Sequence, residues 1–239
     1  MSYSVIIPLH NEAAHVEDAV RGFLSRLDTP TRSALTEIIL VENGSVDGTR
    51  AVVEAMASHD PRVKALSIPR GSYGEAIRAG MLAATGHWLS ILEVDFLDAD
   101  FARVSLHMLQ EGAARFVVAS KRTAGSVDAR PLHRRVITRV FNAVLRVVVG
   151  YDGTDTHGLK TLDTALAQQL CGLAVTTDEA LQTEIVLIAA RQGCRIAEVP
   201  ITVREIRPAP IHVLRRIPMT IGILFALRRS MRRFPRAAS

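Results

Sequence analysis

The chain predicts an α/β fold, a mainly parallel central sheet flanked by helices. Three features carry that expectation. Short apolar runs alternate with helical segments from Ser4 to Ser120, the pattern of a parallel sheet covered on both faces. Each early run stops at a turn of polar or small residues: Leu9-His10-Asn11-Glu12, Glu42-Asn43-Gly44-Ser45, Arg70-Gly71-Ser72-Tyr73-Gly74 and Glu93-Val94-Asp95-Phe96-Leu97-Asp98. In a parallel sheet such turns share one rim, the edge where open α/β sheets hold their ligands. The run that begins at Trp88 ends in four acids, Glu93, Asp95, Asp98 and Asp100.

In order, Ser4 to Pro8 reads as a first strand, followed by an amphipathic helix to about Leu27 with Asn11 as its cap. Glu37 to Val41 is a second strand, and a helix runs from about Asp47 to Met56. Val63 to Ile68 is a third, followed by a helix to about Thr85. The acidic strand comes next, then a helix from about Asp100 to Gln110 and a strand over Phe116 to Ser120. Gly71 and Gly74 would let the backbone approach a ligand closely. There is no GxxxxGK[ST] phosphate loop, and no GxGxxG follows the first strand, which argues against a dinucleotide fold.

On an ideal strand Glu93 and Asp95 would point to one face. Two carboxylates there repel unless a cation lies between them, and a hard divalent ion such as Mg²⁺ or Mn²⁺ suits oxygen ligands. Asp98 and Asp100 read as a turn residue and a helix cap.

The 239 residues and 48% hydrophobic content allow a sizeable core, organised as one domain, 1–207, followed by a tail, 208–239. Cys171 and Cys194 have neither metal nor disulfide spacing, which points to a reducing compartment and a cytoplasmic protein. The start of the chain lacks signal-peptide character, and no apolar run approaches the roughly 20 residues of a membrane span. The net charge of +5 is uneven: residues 204–239 hold nine Arg and one Glu. The body is therefore mildly acidic and the tail strongly basic, which suits an anionic surface.

The ordered turns bear a resemblance. Pro8-Leu9-His10-Asn11-Glu12, Glu42-Asn43-Gly44-Ser45-Val46-Asp47-Gly48-Thr49, the Gly71 to Gly80 segment, Ala84-Thr85-Gly86, Glu93-Val94-Asp95, Ser120-Lys121-Arg122, the set Arg134, Thr138, Arg139 and Asn142, and Glu198-Val199-Pro200-Ile201 together resemble the family 2 glycosyltransferases of GT-A fold, in the dolichol-phosphate mannose synthase-like branch. The likeness spans about residues 3–207. It implies transfer of a sugar from a nucleotide diphosphate, usually with inversion. The donor, GDP-mannose or a UDP-sugar, would lie on Pro8, His10, Asn11, Glu12, Glu42, Asn43, Gly71, Gly74, Glu93 and Val94. Mg²⁺ or Mn²⁺ would sit on Glu93 and Asp95. Departures are plain: His10 replaces Tyr, Glu42 and Asn43 replace two aspartates, Glu93 replaces Asp, and Leu97 stands where Gln is common.

A hydroxyl acceptor needs a base, whereas a lipid phosphate is already anionic and needs positive groups to hold it. Lys121, Arg122, Arg130, Arg134, Arg135, Arg139 and Lys160 supply them, and arginine pairs with phosphate through a planar fork. The resemblance implies that Asp95, Arg122 and Arg134 are central to catalysis, and that Thr138, Arg139, Lys160, Arg204 and Arg207 hold the acceptor phosphate. Arg135 reads as a solvated position. Asp178-Glu179 reads as a helix start, with a role as base for a hydroxyl acceptor the rival. Asp155 reads as a turn residue, or, where the resemblance holds, as an acceptor-loop residue and a third possible base for a hydroxyl acceptor.

Pro208-Ala209-Pro210 precedes a last helix, about His212 to Arg232, with an apolar middle and arginines at both ends. Such a helix lies in a membrane interface or on a membrane-protein partner, or packs as a final core helix. Nucleic acid is disfavoured, because aromatic residues are only 5% and no recognition motif occurs. The sequence thus predicts a metal-dependent inverting transferase acting on a polyprenyl phosphate, peripheral on the cytoplasmic membrane. A hydroxyl-directed soluble glycosyltransferase and a non-catalytic nucleotide-sugar binder are the alternatives.

Overall fold

The computed structural model describes residues 2–69, 71–151, 153–156, 158–203 and 213–234. The chain runs β1 (Tyr3–Leu9), α1 (Val16–Arg26), α2 (Thr29–Ala34), β2 (Leu35–Asn43), α3 (Thr49–His59), β3 (Val63–Ile68), α4 (Tyr73–Ala83), β4 (Trp88–Ile91), α5 (Ala99–Gln110) and β5 (Phe116–Ser120). It continues through β6 (Val127–Asp128), α6 (Leu132–Val149), β7 (Lys160–Asp163), α7 (Thr164–Leu173), α8 (Ala180–Arg191), β8 (Ile196–Pro200), β9 (Thr202–Val203) and α9 (Val213–Met231).

Seven strands form one sheet in the order β3-β2-β1-β4-β7-β5-β8, and β6 pairs with β9 in a two-stranded ribbon. The early strands are continuous apolar runs because both faces of the sheet are covered. Along β1, Val5 and Ile7 enter one core while Ile6 enters the other; along β2, Ile38 and Leu40 oppose Ile39 and Val41 in the same way. One core is closed by α4, α6, α7, α8 and α9, the other by α1, α3 and α5. Pro8 is tolerated in a central strand because the β1–β4 ladder stops at Ile6↔Ile91. Its side of β1 needs no donor beyond that point.

The sheet is not wholly parallel. Strand β7, absent from the sequence reading, inserts antiparallel to both β4 and β5. Asn11 is not the cap of α1, which starts at Val16. Instead Asn11 adopts a left-handed backbone, φ 57°, and its side-chain oxygen accepts from Val46 N at 2.9 Å. Asp98, read as a turn residue, is the cap of α5 and accepts from Phe101 N at 2.9 Å, whereas Asp100, read as the cap, lies in the first turn of the helix.

The C-terminal end of α9 docks on the body. Leu227 and Met231 are buried in the larger core, Ser230 donates to Glu184 of α8, and Arg191 of α8 donates to the Phe234 carbonyl just beyond α9 at 3.4 Å. Ile221 and Phe225 of the same helix remain exposed. The 207/208 boundary and the Pro208-Ala209-Pro210 segment lie outside the described residues, as do His157, Arg204 and Arg207.

Candidate active site

The first two rim turns are braced into one unit. Ala13 N donates to Asp47 at 3.0 Å, Glu12 N to the Thr49 hydroxyl at 2.8 Å, and Asn11 N to the Ser45 hydroxyl at 3.1 Å. His10 Nδ1 donates to the Asn43 carbonyl at 2.7 Å, which leaves Nε2 to accept from the Asn11 amide at 3.2 Å. A carbonyl only accepts, so these two bonds fix the neutral tautomer. Glu42 is buried and does not reach outward: it accepts from Ser45 N at 2.5 Å and from Ser67. Burial alone would raise its pKa, but the bonds from Ser45 and Ser67 outweigh it and hold the carboxyl below its ordinary range. Glu42 thus supports the turn rather than presenting to a ligand. Asn43 also steadies the next turn, accepting from Ser72 N at 2.6 Å.

Beside these turns lies a cleft of about 560 Å³ lined by His10, Asn43, Gly71, Ser72, Tyr73, Asp178, Glu179 and Ile223. Gly71 faces this space, since an added Cβ would meet nothing nearer than the Asn43 carbonyl at 3.8 Å. Gly74 does not: a Cβ there would stand 2.5 Å from the Thr177 carbonyl and nearer still to that of Asp178. Its small size serves helix-to-loop packing, not ligand approach. Arg78 of α4 holds the same loop, donating to the carbonyls of Cys171 at 2.5 Å, Ala174 at 3.1 Å and Thr176 at 3.0 Å. Glu184 holds it from below, accepting from Val175 N at 3.1 Å and from Thr176 N at 2.8 Å. Glu179 is the cap residue of α8 and makes no side-chain cap bond, while Asp178 just before it accepts from Ala180 N at 2.9 Å; both also line the cleft.

The acidic strand departs from its ideal. β4 ends at Ile91, and a tight turn follows, closed by Phe96 N donating to the Glu93 carbonyl at 2.8 Å. Glu93 and Asp95 therefore do not share a strand face. Asp95 is exposed, while Glu93 is partly buried and accepts from the Tyr73 hydroxyl and, at 3.3 Å, from Gln182 Nε2. Loss of hydration raises the Glu93 pKa, against the opposing pull of Tyr73, Lys160 and Gln182. Val94 packs against the smaller core and Leu97 is buried in it.

Lys160, expected on an acceptor phosphate, is instead 1% exposed on β7. Its ammonium donates to the Gly158 carbonyl at 2.8 Å and to Gln182 Oε1. Burial lowers its pKa to about 7, although Asp155 and Glu93 pull the other way. Asp155, read as a turn residue, is buried and pairs with Lys121 at 3.5 Å.

A second cavity, of about 290 Å³, is lined by Lys121, Arg122, Asp128, Arg135, Thr138 and Arg139. It collects three of the basic side chains expected to hold a phosphate. It also includes Arg135, which the sequence reads as solvated. Arg134 is placed only as a backbone position of α6. Asp128 faces Arg130 in a two-bond pair, 2.8 Å for each, and that guanidinium holds the carboxyl below its ordinary range. Behind the cavity, Asn142 donates to the Thr154 carbonyl at 2.7 Å and Thr154 N donates to Glu198 at 2.6 Å, giving two motif residues a loop-holding role.

Among the described residues no three His, Cys, Asp or Glu side chains form a metal cage. An exposed carboxylate such as Asp95 still suits Mg²⁺ or Mn²⁺, because such sites complete their shell with water and substrate phosphate oxygens. Tyr73 and Gln182 both bond to Glu93 Oε1, so the other carboxylate oxygen of Glu93 would be the one to join Asp95 on such an ion.

Comparison with known proteins adds the following. The profile described as Glycosyl transferase family 2 matches residues 4–164. A glycosyltransferase, AglD, from Haloferax volcanii is 26% identical over 83% of this chain. This chain covers only 32% of AglD's length. A dolichol-phosphate mannosyltransferase from Mycosarcoma maydis is 27% identical over 83% of this chain and 69% of its own. Among solved structures, glucosyl-3-phosphoglycerate synthase from Mycobacterium tuberculosis, in complex with Mn²⁺, UDP-glucose and phosphoglyceric acid, superposes with a TM-score of 0.70 at 21% identity. That match covers 100% of this chain and 81% of the synthase, and it shows a shared GT-A fold.

Proposed function

Because this chain belongs to glycosyl transferase family 2, we propose that it moves a sugar from a nucleotide diphosphate to a polyprenyl phosphate, with inversion. The observation that carries the acceptor assignment is the second cavity, where Lys121, Arg122, Arg135 and Arg139 converge beside Thr138. Those are groups that hold a phosphate, and the carboxylate beside them, Asp128, is already paired with Arg130. The mannosyltransferase similarity supports the same acceptor class, since that relative's substrate is dolichol phosphate.

In this reading the nucleotide sugar occupies the larger cleft, with the base and ribose beside His10, Asn43 and Gly71 and the sugar toward Tyr73. Lys121, Arg122, Arg135 and Arg139 hold the acceptor phosphate in line. One phosphate oxygen attacks the anomeric carbon, the bond from that carbon to the donor diphosphate breaks, and the electron pair leaves on the diphosphate. Asp95 would hold a divalent cation, which when bound would neutralise the charge that develops on the leaving diphosphate. GDP-mannose and UDP-sugars both remain within this reading; the Mycobacterium synthase supports a UDP-sugar with Mn²⁺, and the mannosyltransferase a mannosyl donor.

The acceptor would reach the cavity from a membrane surface. No helix among the described residues is long and apolar enough to cross a membrane. Helix α6, however, turns Leu132, Val136, Val140 and Val147 outward, with Arg139 and Arg146 exposed on the same helix. Ile221 and Phe225 of α9 are exposed as well. Apolar and basic side chains together suit an anionic lipid interface, and two free cysteines agree with a cytoplasmic face.

The test is incubation of the purified chain with nucleotide sugars, Mg²⁺ or Mn²⁺, and a polyprenyl phosphate in detergent. Sugar transfer to the lipid phosphate is expected. Transfer to hydroxyl acceptors alone would refute the acceptor assignment. A second reading, a hydroxyl acceptor with Asp178 or Glu179 as base, is favoured by the presence of both in the larger cleft; it requires Asp178→Asn or Glu179→Gln to abolish transfer.

A further inference from the structure

We propose that Gln182 is a positioning residue for the acidic turn: its amide, fixed from behind by Lys160, holds one oxygen of Glu93 and so turns the other to the cation that Asp95 meets. The proposal rests on the cation reading given above. Gln182 lies in the first turn of α8, a helix buried from Ala180 to Ala189. Its amide oxygen accepts from the Lys160 ammonium. Its amide nitrogen donates to the Tyr73 hydroxyl and, at 3.3 Å, to Glu93 Oε1. Tyr73 in turn donates to the same Glu93 oxygen.

An ammonium only donates, a carboxylate only accepts, and an amide offers two hydrogens and one oxygen. With Lys160 on one side and Glu93 on the other, the Gln182 amide has a single orientation. Lys160 is itself held, by the Gly158 carbonyl at 2.8 Å and by the sheet, where it pairs with Ile91 at the end of β4 and with Val118 of β5. The brace thus starts in the central sheet, beside the strand that leads into Glu93, and reaches the turn through α8. A residue needed only to satisfy a buried ammonium would use its oxygen alone. Here the amide nitrogen is used as well, on Tyr73 and Glu93.

This brace suits a carboxylate that is to remain a ligand. A neutral amide holds Glu93 without cancelling its charge, whereas a lysine or arginine at position 182 would compete with the cation. Both bonds fall on one oxygen, so the carboxylate is oriented and its other oxygen is the one for the ion. Partners of this kind fix the orientation of a ligand, and their loss costs about 10–100-fold in metal affinity.

The test follows free Mn²⁺ by electron paramagnetic resonance in the presence of UDP or GDP, with circular dichroism and Tm as the check of folding. The wild type is compared with Asp95→Asn, Gln182→Met and Tyr73→Phe. Ser4→Ala serves as a buried polar loss at the opposite end of the sheet, where Ser4 donates to Glu37 at 2.6 Å. Asp95→Asn and Gln182→Met are each expected to weaken Mn²⁺ binding about tenfold or more, and Tyr73→Phe to weaken it in the same direction. Ser4→Ala is expected to lower Tm and leave Mn²⁺ binding unchanged. Mn²⁺ binding lost in Asp95→Asn but unchanged in a folded Gln182→Met overturns the proposal and leaves the cation reading standing. Should Gln182→Met not fold, unchanged binding in Tyr73→Phe overturns it. A loss in Ser4→Ala equal to that in Gln182→Met also overturns it, because general destabilisation then accounts for both. A wild type that binds no Mn²⁺ overturns the proposal and the cation reading together.

Discussion

Lys160 offers a measurable consequence of burying an ammonium group. Its side chain is 1% exposed, and desolvation lowers its pKa from 10.5 to about 7 despite nearby Asp155 and Glu93, with Lys121 adding to the lowering. Between those two values the unfolded chain binds the proton that the folded chain has released. Stability must then rise with pH across this window. The penalty is fully present below pH 7 and is gone above about 10.5. A displacement of about 3.5 units corresponds to roughly 5 kcal/mol in all, of which about 2 kcal/mol falls between pH 7 and 9. The perturbation is Lys160→Met, which removes the titrating group. It leaves Gly158 and Gln182 short of a donor, a cost that does not vary with pH. Urea unfolding of wild type and Lys160→Met at pH 7 and pH 9 isolates the effect, because other titrating groups cancel in the difference. The wild type should gain about 2 kcal/mol on the variant over that interval. A difference that stays constant, or that moves the other way, refutes the buried-ammonium account.

Four further outcomes follow from the geometry. Gly74→Ala should destabilise the chain by about 1–3 kcal/mol through overpacking on the 177–178 backbone and weaken donor binding, whereas Gly71→Ala should fold normally; thermal melts with and without nucleotide sugar distinguish them. Arg135→Ala and Arg139→Ala should each raise KM for the lipid phosphate about tenfold, a charge-assisted bond being worth roughly 1.5–3 kcal/mol, with donor KM unchanged in steady-state assays. Glu37 is held down to about pKa 2: its burial is outweighed by Lys64, Ser4 and Thr85. That stability is present above pH 4.5 and lost as pH falls toward 2, a decline of about 3 kcal/mol that Glu37→Gln should flatten in acid unfolding. Asn11→Ala should cost about 1 kcal/mol more than Asn11→Gly in denaturant titration, because φ at this position is positive.

What the sequence disclosed and what it concealed divide along physical lines. Strands β1, β2, β3 and β5 were legible because covered parallel strands are continuous apolar runs broken by turn residues. β7 was not: Lys160-Thr161-Leu162-Asp163 carries a lysine whose burial depends on Gln182, a residue 22 positions away. The Glu93–Asp95 spacing was read as a strand periodicity, but the hydrogen bond from Phe96 to Glu93 turns the backbone before that periodicity applies. That Arg135 borders a cavity was not legible because α6 is apolar on two sides. Leu145 and Val149 face the core while Val140 and Val147 face outward, so a helical pattern alone does not reveal which flank borders a cavity. Tyr73, Arg78, Gln182 and Glu184 carried no local signal at all, since their roles depend on partners far along the chain.

The bond between Ser230 and Glu184 bears on how this chain could be recombined with others. Glu184 grips the C-terminal helix with one oxygen and the loop ahead of Asp178 and Glu179 with the other, while Ile223 of that helix lines the larger cleft. The last helix is therefore not an interchangeable anchor. A chimera that exchanged it for a relative's tail would alter the lining of the larger cleft, and a graft would have to carry both partners of the Ser230–Glu184 contact to leave that cleft intact.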